Sequence, residues 1–345
     1  MNKNLRFLPK NGLKDLFDGL LSDGKVFGTI KKDGFPAFAE LSAFKELELF
    51  LTPTHISAKG VIFPPRETLL KFNIEKNDCT AVISAEKQAI IGLHPCDIRA
   101  ITLLDSVFSA GAPDANYLAR RASTLIIGAS CVPDKYCFCK SLGTLNIENG
   151  FDIFLHTSAS GFIVETGTEA GATALAKYAK TRNPTAKELG KMEAFKKQRY
   201  ASFTAAVECE PSKLPEIYSK SNDSPVWDTI GSICTGCGSC NNVCPTCYCF
   251  DVKDEMTINL NQGERVRYWD ACTLEDFAKV AGGHNFRKSR GERLKHRFNR
   301  KFNYLTDKFG SLFCVGCGRC SRTCLVKINI TEITNELIHE YKSKK

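Results

Sequence analysis

No stretch of this 345-residue sequence approaches the roughly 18–20 consecutive apolar residues that span a bilayer. The opening residues, MNKNLRFLPKNGLKDLF, have no apolar core and no small-residue cleavage site, so they do not read as a secretory signal. Neither a GxGxxG fingerprint nor a Walker-type phosphate loop occurs. Cysteine is scarce at the front, where residues 1–130 hold only Cys79 and Cys96. These absences make the cytoplasm the expected compartment and give no sign of a flavin or nicotinamide site on this chain. With 43% hydrophobic and 25% charged residues, the composition excludes collagen-like, low-complexity and wholly disordered classes.

What is present in excess is cysteine further along. There are 17 in all, and residues 234–249 hold six of them. An odd total excludes complete internal disulfide pairing. In a reducing compartment, so many thiols point to metal ligation or redox chemistry.

The length suggests two domains. Residues 1–195 read as an α/β domain. Short β-branched runs at 81–84, 88–92 and 124–128 are expected strands, 97–108 and 168–180 expected helices, and 151–156 with 161–166 an expected hairpin. Residues 185–198 are charged and helix-prone, and a proline-punctuated segment follows. Residues 196–345 read as an α-helical ferredoxin-like domain, with helices expected at 274–281, 290–303 and 330–342. The fold class is therefore expected to be α+β.

Two stretches carry the chemistry. Cys234, Cys237, Cys240 and Cys244, followed by Pro245, form C-x2-C-x2-C-x3-C, and Cys314, Cys317, Cys320 and Cys324 repeat it. This is the ligand run of two-cluster ferredoxins, in which three thiolates hold one cubane and the fourth reaches the other. Crossed ligation then assigns Cys234, Cys237, Cys240 and Cys324 to cluster I, and Cys314, Cys317, Cys320 and Cys244 to cluster II. Zinc is the alternative, but zinc prefers two separated cysteine or histidine pairs around one tetrahedral ion. Leu325 stands where the first run has Pro245, which is no ligand.

Nine cysteines remain. Cys131, Cys137 and Cys139 fall within nine residues, and Cys96 lies at an expected helix start, where a thiolate is favoured. Together they could hold a third [4Fe-4S] cluster, or they could pack as small hydrophobes. Cys247 and Cys249 follow the first run, and Cys272 stands near Trp269. Cys79 and Cys209 read as ordinary packing residues. His94 beside Pro95 reads as structural, since no base–nucleophile partner accompanies it.

The formal net charge is +9, and residues 287–301 carry eight Lys or Arg against one Glu. Two cubanes, each a dianion when oxidised, would lower the charge to about +5. The basic stretch is best read as offsetting that charge or docking an acidic partner, ahead of nucleic-acid binding.

The sequence resembles the iron–sulfur beta subunit of cytosolic sulfhydrogenases and the related A subunit of anaerobic sulfite reductase. The likeness runs from about residue 50 to 330. It is carried by SAKGVIFPPRETLLKF from 57, GLHPCDIRAI at 92–101, CVPDKYCFCKSLG at 131–143, CTGCGSCNNVCPTCYCFD at 234–251 and RYWDACTLEDFAKVAGGHNFR at 267–287. The resemblance implies a non-catalytic, soluble electron-transfer subunit of an anaerobic oxidoreductase complex. Its implied partners are a flavin subunit that binds NAD(P), which can also hold a [2Fe-2S] centre, and a catalytic hydrogenase, sulfite reductase or heterodisulfide-reductase-like subunit. Nucleic acid and membrane are not among them. A self-contained flavin- or cluster-dependent reductase and a nucleic-acid-binding iron–sulfur regulator are the alternative readings.

Overall fold

The computed structural model describes residues 5–49, 51–158 and 160–344. The strands are β1 (Leu5–Pro9), β2 (Lys25–Lys32), β3 (Phe35–Leu41), β4 (Arg66–Asn73), β5 (Asp78–Ala81), β6 (Gln88–Leu93), β7 (Thr124–Ala129), β8 (Ile153–Thr157), β9 (Gly161–Thr166), β10 (Phe250–Met256) and β11 (Gln262–Trp269). The longer helices are α1 (Lys10–Asp23), α2 (Pro95–Phe108), α3 (Ala115–Ala122), α4 (Glu169–Tyr178), α5 (Ala186–Ala201), α6 (Leu214–Lys220), α7 (Val226–Ile233), α8 (Arg290–Phe302) and α9 (Ile330–Ser343). The class is α+β.

Seven strands form one mixed sheet in the order β1-β9-β8-β7-β6-β2-β3. Its centre is parallel, with β2, β6, β7 and β8 running together. The runs QAIIGL and TLIIGA are almost continuously apolar because helices cover both faces there. On one face Leu13, Leu16, Phe17 and Leu20 of α1, spaced as one helical stripe, pack with Ile91, Ile127 and Leu155. On the other, Ile98, Ile101, Leu104 and Phe108 of α2 pack with Ile90, Ile126 and Phe154.

A second, antiparallel sheet has the order β10-β11-β4-β5. It joins strands from both ends of the chain, because β11 pairs with β4. A buried charge network ties it to α3. Arg267 bonds Glu67 and Asp114, and Arg120 bonds Glu67. The hairpin β10–β11 occupies part of the segment between the cysteine runs. The helix expected at 274–281 is replaced by two short turns, Asp276–Ala278 and Ala281–Gly283.

The helices α6 to α9 build a separate core from Leu214, Tyr218, Trp227, Phe298, Phe302 and Leu337, among others. Here α7 and α8 cross at glycine on glycine: a Cβ on Gly231 would stand 2.6 Å from Gly291 N. The close crossing places Cys234, immediately after α7, beside the inner face of α8.

Candidate metal centre

The two cysteine runs fold alike. Gly236 and Gly238 in the first run, and Gly316 and Gly318 in the second, all have φ between +64° and +73°, a region open to glycine at little cost. That path turns backbone N–H groups onto sulfur. Gly236 N donates to Cys234 Sγ at 3.4 Å, and Gly316 N donates to the Cys314 thiol. Likewise Ser239 N reaches Cys237 and Arg319 N reaches Cys317. After each second glycine comes one short helical turn, Ser239–Asn242 or Arg319–Thr323, and the two turns pack together.

The packing creates a cavity lined by cysteines of both runs: Cys234, Cys237, Cys240, Cys320 and Cys324. Cys324 Sγ, which comes from the second run, also accepts from Ile328 N at 3.3 Å. On the far side Cys244 lies close enough to Cys314 and Cys317 to help hold their thiols protonated. Burial drives the Cys240 pKa up to about 12 and that of Cys317 to about 11. Cys237 is exposed, and the Ser239 hydroxyl draws its thiol below the usual value. Among the described residues no group of three or more His, Cys, Asp or Glu side chains is arranged around a single ion. The thiols surround a space instead, as a cubane with one thiolate per iron requires.

Positive charge is buried beside them. Arg293, Arg297 and Lys301 recur every fourth residue on α8 and form one inward stripe, each 2–4% exposed. Arg297 Nη2 donates to Cys240 O at 2.9 Å, and Lys301 Nζ to Thr246 Oγ1 at 2.8 Å. Burial opposes both charges, yet the nearby sulfurs (Cys240 and Cys320 for Arg297, Cys244 and Cys247 for Lys301) hold their pKa values above normal. Lys59, also buried, sits 4.1 Å over the Trp269 ring and donates to the carbonyls of Asn241 and Cys247. Half-turned basic stretches are often solvated faces; here the inward stripe faces sulfur. The donor set, the N–H···S bonds and these cations fit [4Fe-4S] cubanes, whose negative charge they would offset.

Cys247 touches Cys244, and Cys249 touches Cys272. Asn241 Nδ2 donates to Cys272 Sγ at 3.1 Å. Cys79 is exposed on β5, and Cys209 is half-buried. His94 is buried at the start of α2, where its carbonyl accepts from the Asp97 and Ile98 amides. The thiols of Cys96, Cys131, Cys137 and Cys139, distant in sequence, are gathered beside the second run. The spacing of Arg293, Arg297 and Lys301 was the available signal for the charged stripe. Nothing local in the sequence pointed to Lys59.

Residues 233–328 match a family model described as a 4Fe-4S dicluster domain. The Sulfhydrogenase 2 subunit beta of Pyrococcus furiosus is 36% identical over 324 residues, covering 94% of this chain and 95% of that protein. No solved structure matches the chain. With two [4Fe-4S] clusters and an electron-transfer role, the chain belongs to the family of sulfhydrogenase beta subunits.

Proposed function

We propose that the chain is the cytoplasmic relay of an oxidoreductase complex, carrying single electrons between a flavin subunit that binds NAD(P) and a catalytic subunit of hydrogenase type. The observation that carries this is the cavity lined by cysteines of both runs. It supports crossed ligation, with Cys234, Cys237, Cys240 and Cys324 holding cluster I and Cys314, Cys317, Cys320 and Cys244 holding cluster II. When bound, each cubane gains or loses one electron with little rearrangement.

The chain's own residues set the conditions. The N–H groups of Gly236, Ser239, Gly316 and Arg319 point at ligand sulfurs and stabilise negative charge. Arg297 lies near the sulfurs of both Cys240 and Cys320, and its charge favours the reduced state of a cluster held by either run. Phe298 and Leu294 wall the shared cavity and exclude water. Exposed Cys237, with Leu325 exposed at the cavity edge and Ile233 exposed just before Cys234, supports a partner meeting cluster I. Among the described residues no helix is long and apolar enough to cross a membrane.

The test is anaerobic purification of the native complex from its own cells. The chain is expected to copurify with a flavin subunit, and NAD(P)H should bleach its cluster absorption only when that subunit is present. Rapid reduction of the isolated chain by NAD(P)H would contradict the relay reading.

A further inference from the structure

Cys96, Cys131, Cys137 and Cys139 have no part in the two-cluster arrangement. They come from the start of α2, just after β6, and from the loop after β7, at the carboxyl ends of parallel strands, where such sheets leave a binding crevice. All four are buried, at 6%, 8%, 3% and 7% exposure. Cys139 lies near Cys131 and Cys317, Cys96 near Cys139 and Cys317, and Cys137 near Cys139.

Cys96 packs with Ala100, Leu103 and Phe313, as a small hydrophobe would. Packing does not account for the two buried guanidiniums that also lie against these thiols. Arg199 of α5 is 7% exposed, bonds Asn146 Oδ1 at 2.8 Å, and lies beside Cys131. Its guanidinium reaches the Cys131 thiol, while Nε itself meets no acceptor. Arg319 is fully buried and paired with Asp97, next to Cys96. A neutral thiol is a weak acceptor for a buried guanidinium, and an anionic sulfur group there would be a far stronger one. The loop is also pressed onto the second run. Phe138 N donates to Gly316 O at 2.8 Å, and a Cβ on Gly316 would stand 2.5 Å from Cys139 N and Cα.

We propose that Cys96, Cys131, Cys137 and Cys139 hold a third [4Fe-4S] cluster against the second run, on the side away from exposed Cys237. The proposal rests on the two-cluster reading and extends it to a row of three centres. Cys137 Sγ now lies 3.3 Å from Asp134 Oδ1, a contact that needs the protonated thiol, so ligation turns this side chain inward. Arg199 is a positioning residue that supplies charge to the site without touching iron.

The full chain, purified anaerobically, should contain about twelve irons and about twelve acid-labile sulfides. Changing Cys137→Ser together with Cys139→Ser should remove about four of each. Arg199→Gln should leave the count unchanged and alter the electron paramagnetic resonance spectrum of one cluster only. An unaltered chain with about eight irons, with or without a zinc ion, overturns the third cluster and leaves the other two standing. Unchanged iron in the double variant overturns this ligand set. Fewer than about eight irons in the unaltered chain would instead strike the two-cluster reading beneath it. If the double variant does not fold, the unaltered count and the Arg199→Gln spectrum decide.

Discussion

The two cysteine runs share spacing, glycines and N–H···S bonds, but they meet different surroundings. In the first run Cys237 is exposed, and a Cβ added at Gly236 would find its nearest neighbours at 3.9 Å. In the second, Cys317 is 8% exposed, and Cβ atoms at Gly316 and Gly318 would stand 2.5 and 2.4 Å from the backbone of residues 136–139. The spacing dictates how thiols wrap a cluster. What covers the cluster is decided by a loop nearly two hundred residues away. One end of the pair is open to solvent, and the other is covered by the 131–139 loop.

The comparison is broken most forcefully at the glycines. Gly316→Ala adds a backbone clash to a left-handed conformation and should cost about 2–5 kcal/mol. Gly236→Ala meets only ordinary van der Waals contacts and should cost only the conformational strain, about 1–2 kcal/mol. Thermal melts of the two anaerobic variants check this. Equal losses would mean that the 131–139 loop does not seal the second run.

That asymmetry was not legible in the sequence, where TGCGS and VGCGR look equivalent. The runs themselves were legible because cluster ligation needs local spacing. So were β6, β7, α2, α4, α5, α8 and α9, whose apolar periodicity or composition marks them. The hairpin β10–β11 was not. FDVKDEM is exposed along its whole length, so no buried face imposes an alternation, and β4, the other neighbour of β11, lies nearly two hundred residues earlier. The helix expected at 274–281 gave way to short turns around Gly282 and Gly283, both at positive φ. The meeting of Cys96 with Cys139 depends on the order of parallel strands, which no local pattern encodes.

A second contrast concerns thiol chemistry in protein stripped of iron by a chelator. The thiolate is the reactive form. The Cys237 pKa lies below its usual value because of the Ser239 hydroxyl, whereas burial puts Cys317 at about 11. At pH 8 alkylation of Cys237 should therefore outpace that of Cys317 by about a hundredfold or more from thiolate fraction alone. Raising the pH from 7 should bring the Cys237 rate to a plateau well before that of Cys317, which keeps gaining reactivity towards pH 11. Peptide mapping of the labelled cysteines measures both. Comparable rates at pH 8 would remove the contrast.

The smallest expected effect sharpens what the two runs share. Arg297 faces sulfurs from each. Arg297→Gln should lower both cluster potentials by on the order of 50–100 mV, the Coulomb interaction of one charge at an effective dielectric constant of about 20. Lys301→Met should act mainly on the cluster that uses Cys244, since Lys301 faces Cys244 and Cys247. Redox titration followed by paramagnetic resonance separates the two. A shift confined to one cluster in Arg297→Gln would show that the charge is not shared.

Crossed ligation is the centre of this account, and iron analysis with Mössbauer spectroscopy on three variants tests it most directly. Cys237→Ser and Cys324→Ala lie in different runs but should remove the same cubane. Each should lose about four irons, and the double variant should lose no more than either alone. Loss of a further cubane in the double variant would mean that each run holds its own cluster, and the crossed arrangement would be wrong.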